Sequence, residues 1–112
     1  MLDLKVEILL PIYYNPDNSK TKRKKIEGVR FSQTYNEIYD EFNGCTIDYS
    51  PLIGGWKNPK TGKMIKDENI AYWVVCKSTK NNLRFFDKLK KNLEKRFEQE
   101  DMMMYYVRIH RI

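Results

Sequence analysis

Apolar and polar residues alternate over residues 4–12, where Leu4, Val6, Ile8, Leu10 and Ile12 are separated by Lys5, Glu7, Leu9 and Pro11. A period of two sends successive side chains to opposite sides of an extended chain, so the pattern predicts a strand with one buried face. Residues 14–31 lose the periodicity and are rich in Pro, Asn, Ser and Lys, which predicts a long loop. The period then changes. Thr34 and Glu37 have capping-box spacing, and Tyr35, Ile38, Tyr39 and Phe42 recur at helical intervals before Asn43-Gly44, which supplies a left-handed stop.

Residues 45–50 (CTIDYS) and 69–77 (NIAYWVVCK) predict a second and a third strand, the latter dense in β-branched and aromatic residues. The stretch between them holds two turn clusters, Gly54-Gly55 and the run Asn58-Pro59-Lys60-Thr61-Gly62, so the pair reads as a hairpin with an elaborated tip. A second helix, capped by Asn81 or Asn82, follows from the stripe Leu83, Phe86, Leu89, Leu93 and Phe97 with charged residues opposite. Met103, Tyr105, Val107 and Ile109 alternate with Met104, Tyr106, Arg108 and His110 in a closing strand.

Strand, helix, strand, strand, helix, strand is the order of a ferredoxin-like α+β domain. Right-handed crossovers place both helices on one face of a four-stranded antiparallel sheet, with expected strand order 4-1-3-2. At 112 residues the chain has room for one core, so a single domain over 1–112 is expected. Apolar residues at 41% exclude an intrinsically disordered chain.

Asp3, Lys5 and Glu7 interrupt the N-terminal apolar run, which therefore reads as a strand and not a signal peptide. With no membrane-length apolar run either, a cytoplasmic protein is expected. Cys45 and Cys76 are too few for a disulfide scaffold and lack metal-ligand spacing, so both are expected reduced and buried, with no metal and no cofactor. The net charge of +6 is local. Residues 20–30 hold six basic residues and one acid, +5, while the rest holds fifteen basic and fourteen acidic residues, +1. Lys20, Lys22, Arg23, Lys24 and Lys25 are thus candidates for phosphate contacts, through which basic side chains bind nucleic acid by releasing counterions. A solvated loop accounts for the same residues. The third strand lacks the basic-Gly-aromatic pattern of an RNA-recognition sheet.

That third strand is apolar on both sides, Ile70, Tyr72, Val74 and Cys76 against Ala71, Trp73 and Val75, which predicts a cover for the second face, either a second copy in a homodimer or the long loop. Trp56 in a glycine turn either plugs the core or walls a pocket. Asp67 and Glu68 act as charged gatekeepers before an aggregation-prone strand or serve as pocket carboxylates. His110 is the only histidine and shares a strand face with Tyr106 and Arg108; Glu7 or Lys5 on the first strand is its expected neighbour. No phosphate-binding glycine loop, zinc motif or nucleophile elbow is present.

The succession TYNEIYDEFNGCT, GGW, TGKMIKDE and RFEQE resembles a group of small microbial proteins with F-G-G-T, G-x-W, T-G-K…D-E and R-F-x-Q-E motifs. Cys45 stands where that group has its second glycine. The resemblance implies one compact domain and transfers no activity. Two readings emerge: a homodimeric, non-catalytic binding or regulatory module offering its basic segment to an anionic partner such as nucleic acid, or a small enzyme or ligand-binding protein. The latter's pocket would lie near Trp56, Asp67 and Glu68 and be completed by Tyr13, Tyr14 or His110.

Overall fold

The computed structural model describes residues 2–16 and 23–112. In chain order its elements are β1 (Leu2–Pro11), α1 (Gly28–Phe42), β2 (Thr46–Lys57), β3 (Met64–Lys77), α2 (Lys80–Arg96) and β4 (Met104–His110). The strands form one antiparallel sheet in the order β2-β3-β1-β4, the ferredoxin-like arrangement. Strand alternation selects the core. Leu4, Val6, Ile8 and Leu10 of β1 face the helices together with Tyr72, Val74 and Cys76 of β3, and Phe86, Leu89, Leu93 and Phe97 of the α2 region close over them. No helix of the described residues is long and apolar enough to cross a membrane.

Helix α1 begins at Gly28, inside the stretch whose composition suggested loop, and Thr34 is therefore not its cap. Thr34 lies in mid-helix and is 0% exposed. Its hydroxyl donates to the Arg30 carbonyl at 2.8 Å and accepts from Arg96 Nη1 at 2.9 Å. Glu37 binds the same guanidinium through both oxygens, at 2.6 and 3.1 Å, so the apparent capping pair is a bracket between the helices. The helix stops as its sequence suggests, with Asn43 left-handed and its N–H on the Tyr39 carbonyl at 2.7 Å.

The cap of α2 is Thr79, whose hydroxyl accepts from the Asn82 N–H at 3.1 Å, while the Asn82 side chain donates to the Lys77 carbonyl. After α2, Glu98 adopts φ 53°, and the Glu98 and Gln99 N–H groups return to the Lys95 and Glu94 carbonyls. This is a Schellman stop with glutamate where glycine is usual.

The hairpin is longer at its turn end than its composition suggested. Gly54, Gly55 and Trp56 lie in β2, paired with Asp67, Lys66 and Ile65, and the turn is confined to residues 58–63. Asn58 organises it: its carbonyl accepts from the Gly62 N–H and its side chain from the Lys60 N–H, while Gly62 takes φ +70°. Gly55 leaves room for Met64, whose sulfur lies 3.1 Å from where a Cβ would stand. Beyond Asn69, β3 has left β1, and the hairpin continues as a two-stranded arm. A bulge between Asp48 and Leu52 carries Pro51, whose missing donor is harmless on an edge strand.

Candidate functional site

Because β1 and β3 are central, the two helices settle over them and leave the helix-side residues of β2 only partly covered. Between α1 and the β2–β3 pair lies an open groove of about 710 Å³. Phe31, Ser32, Tyr35 and Asn36 form its helical wall, and Ile47, Ile70 and Tyr72 its floor. Cys45 closes one end, and Tyr49 stands on the rim 74% exposed. Tyr35 meets Tyr72 edge-on with ring centres 6.4 Å apart, and the Tyr72 hydroxyl donates to the Phe31 carbonyl at 3.2 Å.

Cys45 and Tyr72 of this groove are held neutral. Burial pushes the Cys45 thiol up to about 11. Burial, then the proximity of Tyr49, Cys45 and Tyr35, pushes Tyr72 up to about 12. Neither is a nucleophile or base at neutral pH, where a reactive thiol needs a depressed pKa. None of the ten lining residues is acidic or basic.

The basic segment is visible in part. Lys20 and Lys22 lie outside the described residues. Residues 12–14 and 24–26 form a short antiparallel ladder, with Tyr14 N–H on the Lys24 carbonyl and Ile26 N–H on the Ile12 carbonyl, so the ends of this stretch are structured. Arg23 turns inward: its Nε donates to the Tyr14 carbonyl at 2.9 Å and its Nη1 to the Lys66 carbonyl at 2.6 Å, while its Nη2 lies 4.0 Å from Asp67 Oδ1. Lys24 pairs with Glu27 at 3.0 Å. Glu27 also accepts from the Tyr14 hydroxyl and from Arg30, and with the Tyr14 bond as the largest cause its carboxyl is held down at about 2. Lys25 is exposed.

The residues of the alternative pocket are dispersed. Trp56 is on the arm, 39% exposed and opposite Ile65. Asp67 and Glu68, adjacent on β3, point to opposite sides, Asp67 toward Arg23 and a 260 Å³ hollow shared with Asn69 and Asp101. His110 is at the far end of the other edge strand, opposite Leu2. Glu7 and Lys5 are not its neighbours, because β1 presents them on the opposite face, where Glu7 accepts from the Tyr105 hydroxyl at 2.7 Å and Lys5 sits 4.6 Å over the Trp73 ring. Cys76 is buried as expected, whereas Cys45 is only half-buried. Among the described residues, no group of three or more His, Cys, Asp or Glu is placed to hold a metal ion.

Phe31, Tyr35, Ile47 and Tyr49 carry no motif, and their spacing marks them only as apolar residues of a helix and a strand. The usable signal was the concentration of tyrosines in α1, β2 and β3, more hydroxyls than a dry core accommodates.

No family model matches the chain, and no curated protein does. Among solved structures it is similar to the divalent cation tolerance protein Cut A1 of Thermus thermophilus, with a TM-score of 0.59 and 12% identity over 99% of this chain and 86% of that one. At that identity the likeness carries the fold alone.

Proposed function

We propose that the protein is a non-catalytic binding module whose ligand occupies the groove between α1 and the β2–β3 hairpin. The observation that carries this reading is the open, aromatic-lined cavity, whose ten lining residues include no Asp, Glu, Lys, Arg or His. Its volume is in the range of about 300–1,000 Å³ typical of small-molecule sites. Acid–base or nucleophilic work would need a group poised near neutral pH, and this lining supplies none. A fragment screen by amide chemical shifts tests the reading. Hits should move Tyr35, Cys45, Ile47 and Tyr49 together and be lost in Ser32→Trp, which fills the groove from an exposed helix position. Hits that map elsewhere, or that survive Ser32→Trp, would refute it.

A second reading rests on the concentration of +5 of the +6 net charge in residues 20–30. In it the segment contacts an anionic partner such as nucleic acid. Arg23, Lys24 and Arg30 lie beside carboxylates, so the test is placed on Lys25, which is exposed, and on Lys20 and Lys22 of the same basic run. Replacing those three with Ser should then weaken binding and flatten its salt dependence, by a logarithmic slope of about 0.7–0.9 per phosphate lost. An unchanged slope, or no binding by the parent at low salt, removes it.

A further inference from the structure

We infer that the groove selects an uncharged, flat aromatic ligand bearing a hydroxyl or amide, and rejects anions and cations alike; this rests on the groove being the binding site. The walls show why. An ion entering the cleft leaves its hydration behind and meets no countercharge on any of the ten lining residues, a loss that grows as the site dries. Tyr72 and Cys45 cannot answer a cation by ionising, because their protons are held far above neutral pH.

Two carboxylates near the groove are engaged with cationic side chains. Glu27 binds Tyr14, Lys24 and Arg30 just before the start of α1, and Glu37, the residue after Asn36, is taken by Arg96. A ligand ion that sought Glu27, Glu37 or the cations that hold them would have to break one of these sets.

A neutral ring finds what it needs. Phe31, Tyr35, Tyr49 and Tyr72 offer aromatic surface from both walls, where offset or edge-on ring contacts add about 0.5–1.5 kcal/mol beyond area burial. Polar groups are sparse and suited to one or two directed bonds. The Tyr72 hydroxyl spends its proton on the Phe31 carbonyl at 3.2 Å and keeps lone pairs to accept. The Ser32 hydroxyl does the same toward the Gly28 carbonyl at 3.3 Å. The Asn36 amide brings both a donor and an acceptor. A ligand hydroxyl or amide N–H therefore meets acceptors at the wall.

Three probes of one shape and different charge test this: 2-naphthol, 2-naphthoate and 2-naphthylmethylammonium, each titrated at pH 7 into the labelled full chain while the amides of Tyr35, Cys45, Ile47 and Tyr49 are followed. Naphthol should bind at those amides at least about tenfold tighter than either ion, a gap of about 1.4 kcal/mol. Tyr49→Ala, at an exposed rim position, should weaken naphthol with the melting temperature unchanged. An ion that binds there as tightly as naphthol overturns the selectivity and leaves the groove standing. If no probe moves those amides at millimolar concentration, or Tyr49→Ala leaves naphthol binding intact, both the selectivity and the groove reading fall.

Discussion

Replacing Arg96 with methionine should cost about 2 kcal/mol, and the structure says where that comes from. Methionine keeps most of the aliphatic stem against the core and removes only the guanidinium, with its three contacts at 2.6, 2.9 and 3.1 Å to Glu37 and Thr34. The Arg96 side chain is 9% exposed and Glu37 36%, so the pair lies between the buried limit of about 3–5 kcal/mol for breaking an ion pair and the exposed limit of about 0.2–1. Water reaches the Glu37 carboxylate once its partner is gone, which brings the figure toward the middle. Thr34 keeps its own bond to Arg30 and is not orphaned. The converse change is harsher, because Glu37→Leu strands a nearly buried guanidinium with only the Thr34 hydroxyl.

Urea unfolding followed by circular dichroism separates these cases, with the stability loss read from the midpoint at constant slope. On a domain of this size about 2 kcal/mol lowers the melting temperature by roughly 10 °C. A double-mutant cycle between the two positions should return a coupling above about 1 kcal/mol, beyond what an exposed pair yields. A loss under about 0.5 kcal/mol for Arg96→Met, or a cost for Glu37→Leu smaller than for Arg96→Met, would show that the bracket does not hold the helices together.

Glu98→Gly should raise stability by about 0.5–1 kcal/mol, since glycine takes the left-handed φ of 53° without strain; a melting temperature at or below the parent's refutes that accounting. Glu27, held down at about 2 from an ordinary 4.5, contributes stability that is fully present above about pH 4.5 and is lost as pH falls through 2. Melting profiles from pH 6 to 2 should therefore fall less steeply for Glu27→Gln, and parallel profiles would exclude a role for this carboxylate. A second copy is proposed to cover the open sheet face, where Lys5 and Glu7 lie two residues apart on β1 and a two-fold axis would set each copy's Lys5 against the other's Glu7. Sedimentation should then give twice the chain mass and Lys5→Glu should reduce it, whereas a parent that stays monomeric at high micromolar concentration removes the proposal.

Much of this fold was legible because it is written in short periods. The two-residue alternation of β1 marks its core face, and the three-to-four-residue spacing of Phe86, Leu89, Leu93 and Phe97 marks that of α2. Features set by distant partners were not legible. Glu27 leaves its helix end without a side-chain cap because its carboxylate is taken by Tyr14, thirteen residues upstream, so α1 begins without a local signature. Thr34 and Glu37 mimic a cap because both lie toward one arginine sixty residues away in sequence. Gly54-Gly55 imitates a turn, yet Gly55 serves a close cross-strand contact with Met64. The groove was the least legible, because each of its aromatic residues has the pattern of a core residue and only the placement of α1 over the sheet leaves them half-covered.

The arm gives β3 two grades of permanence along a single strand. Its residues 69–73 lie between β1 and β2 and residues 74–77 pair with β1, whereas residues 64–68 have β2 as their only paired strand and end beside Met64, 78% exposed. A two-stranded ribbon is marginal by itself in water, so the tip can fray and re-form while the four-stranded part stays closed. Amide exchange should accordingly be graded along β3, fastest near the turn and slowest where Tyr72 lies between Ile8 and Ile47. The turn at residues 58–63 is thus a natural splice point: a tag or a whole guest domain inserted there would burden only the ribbon and leave the host's core untouched.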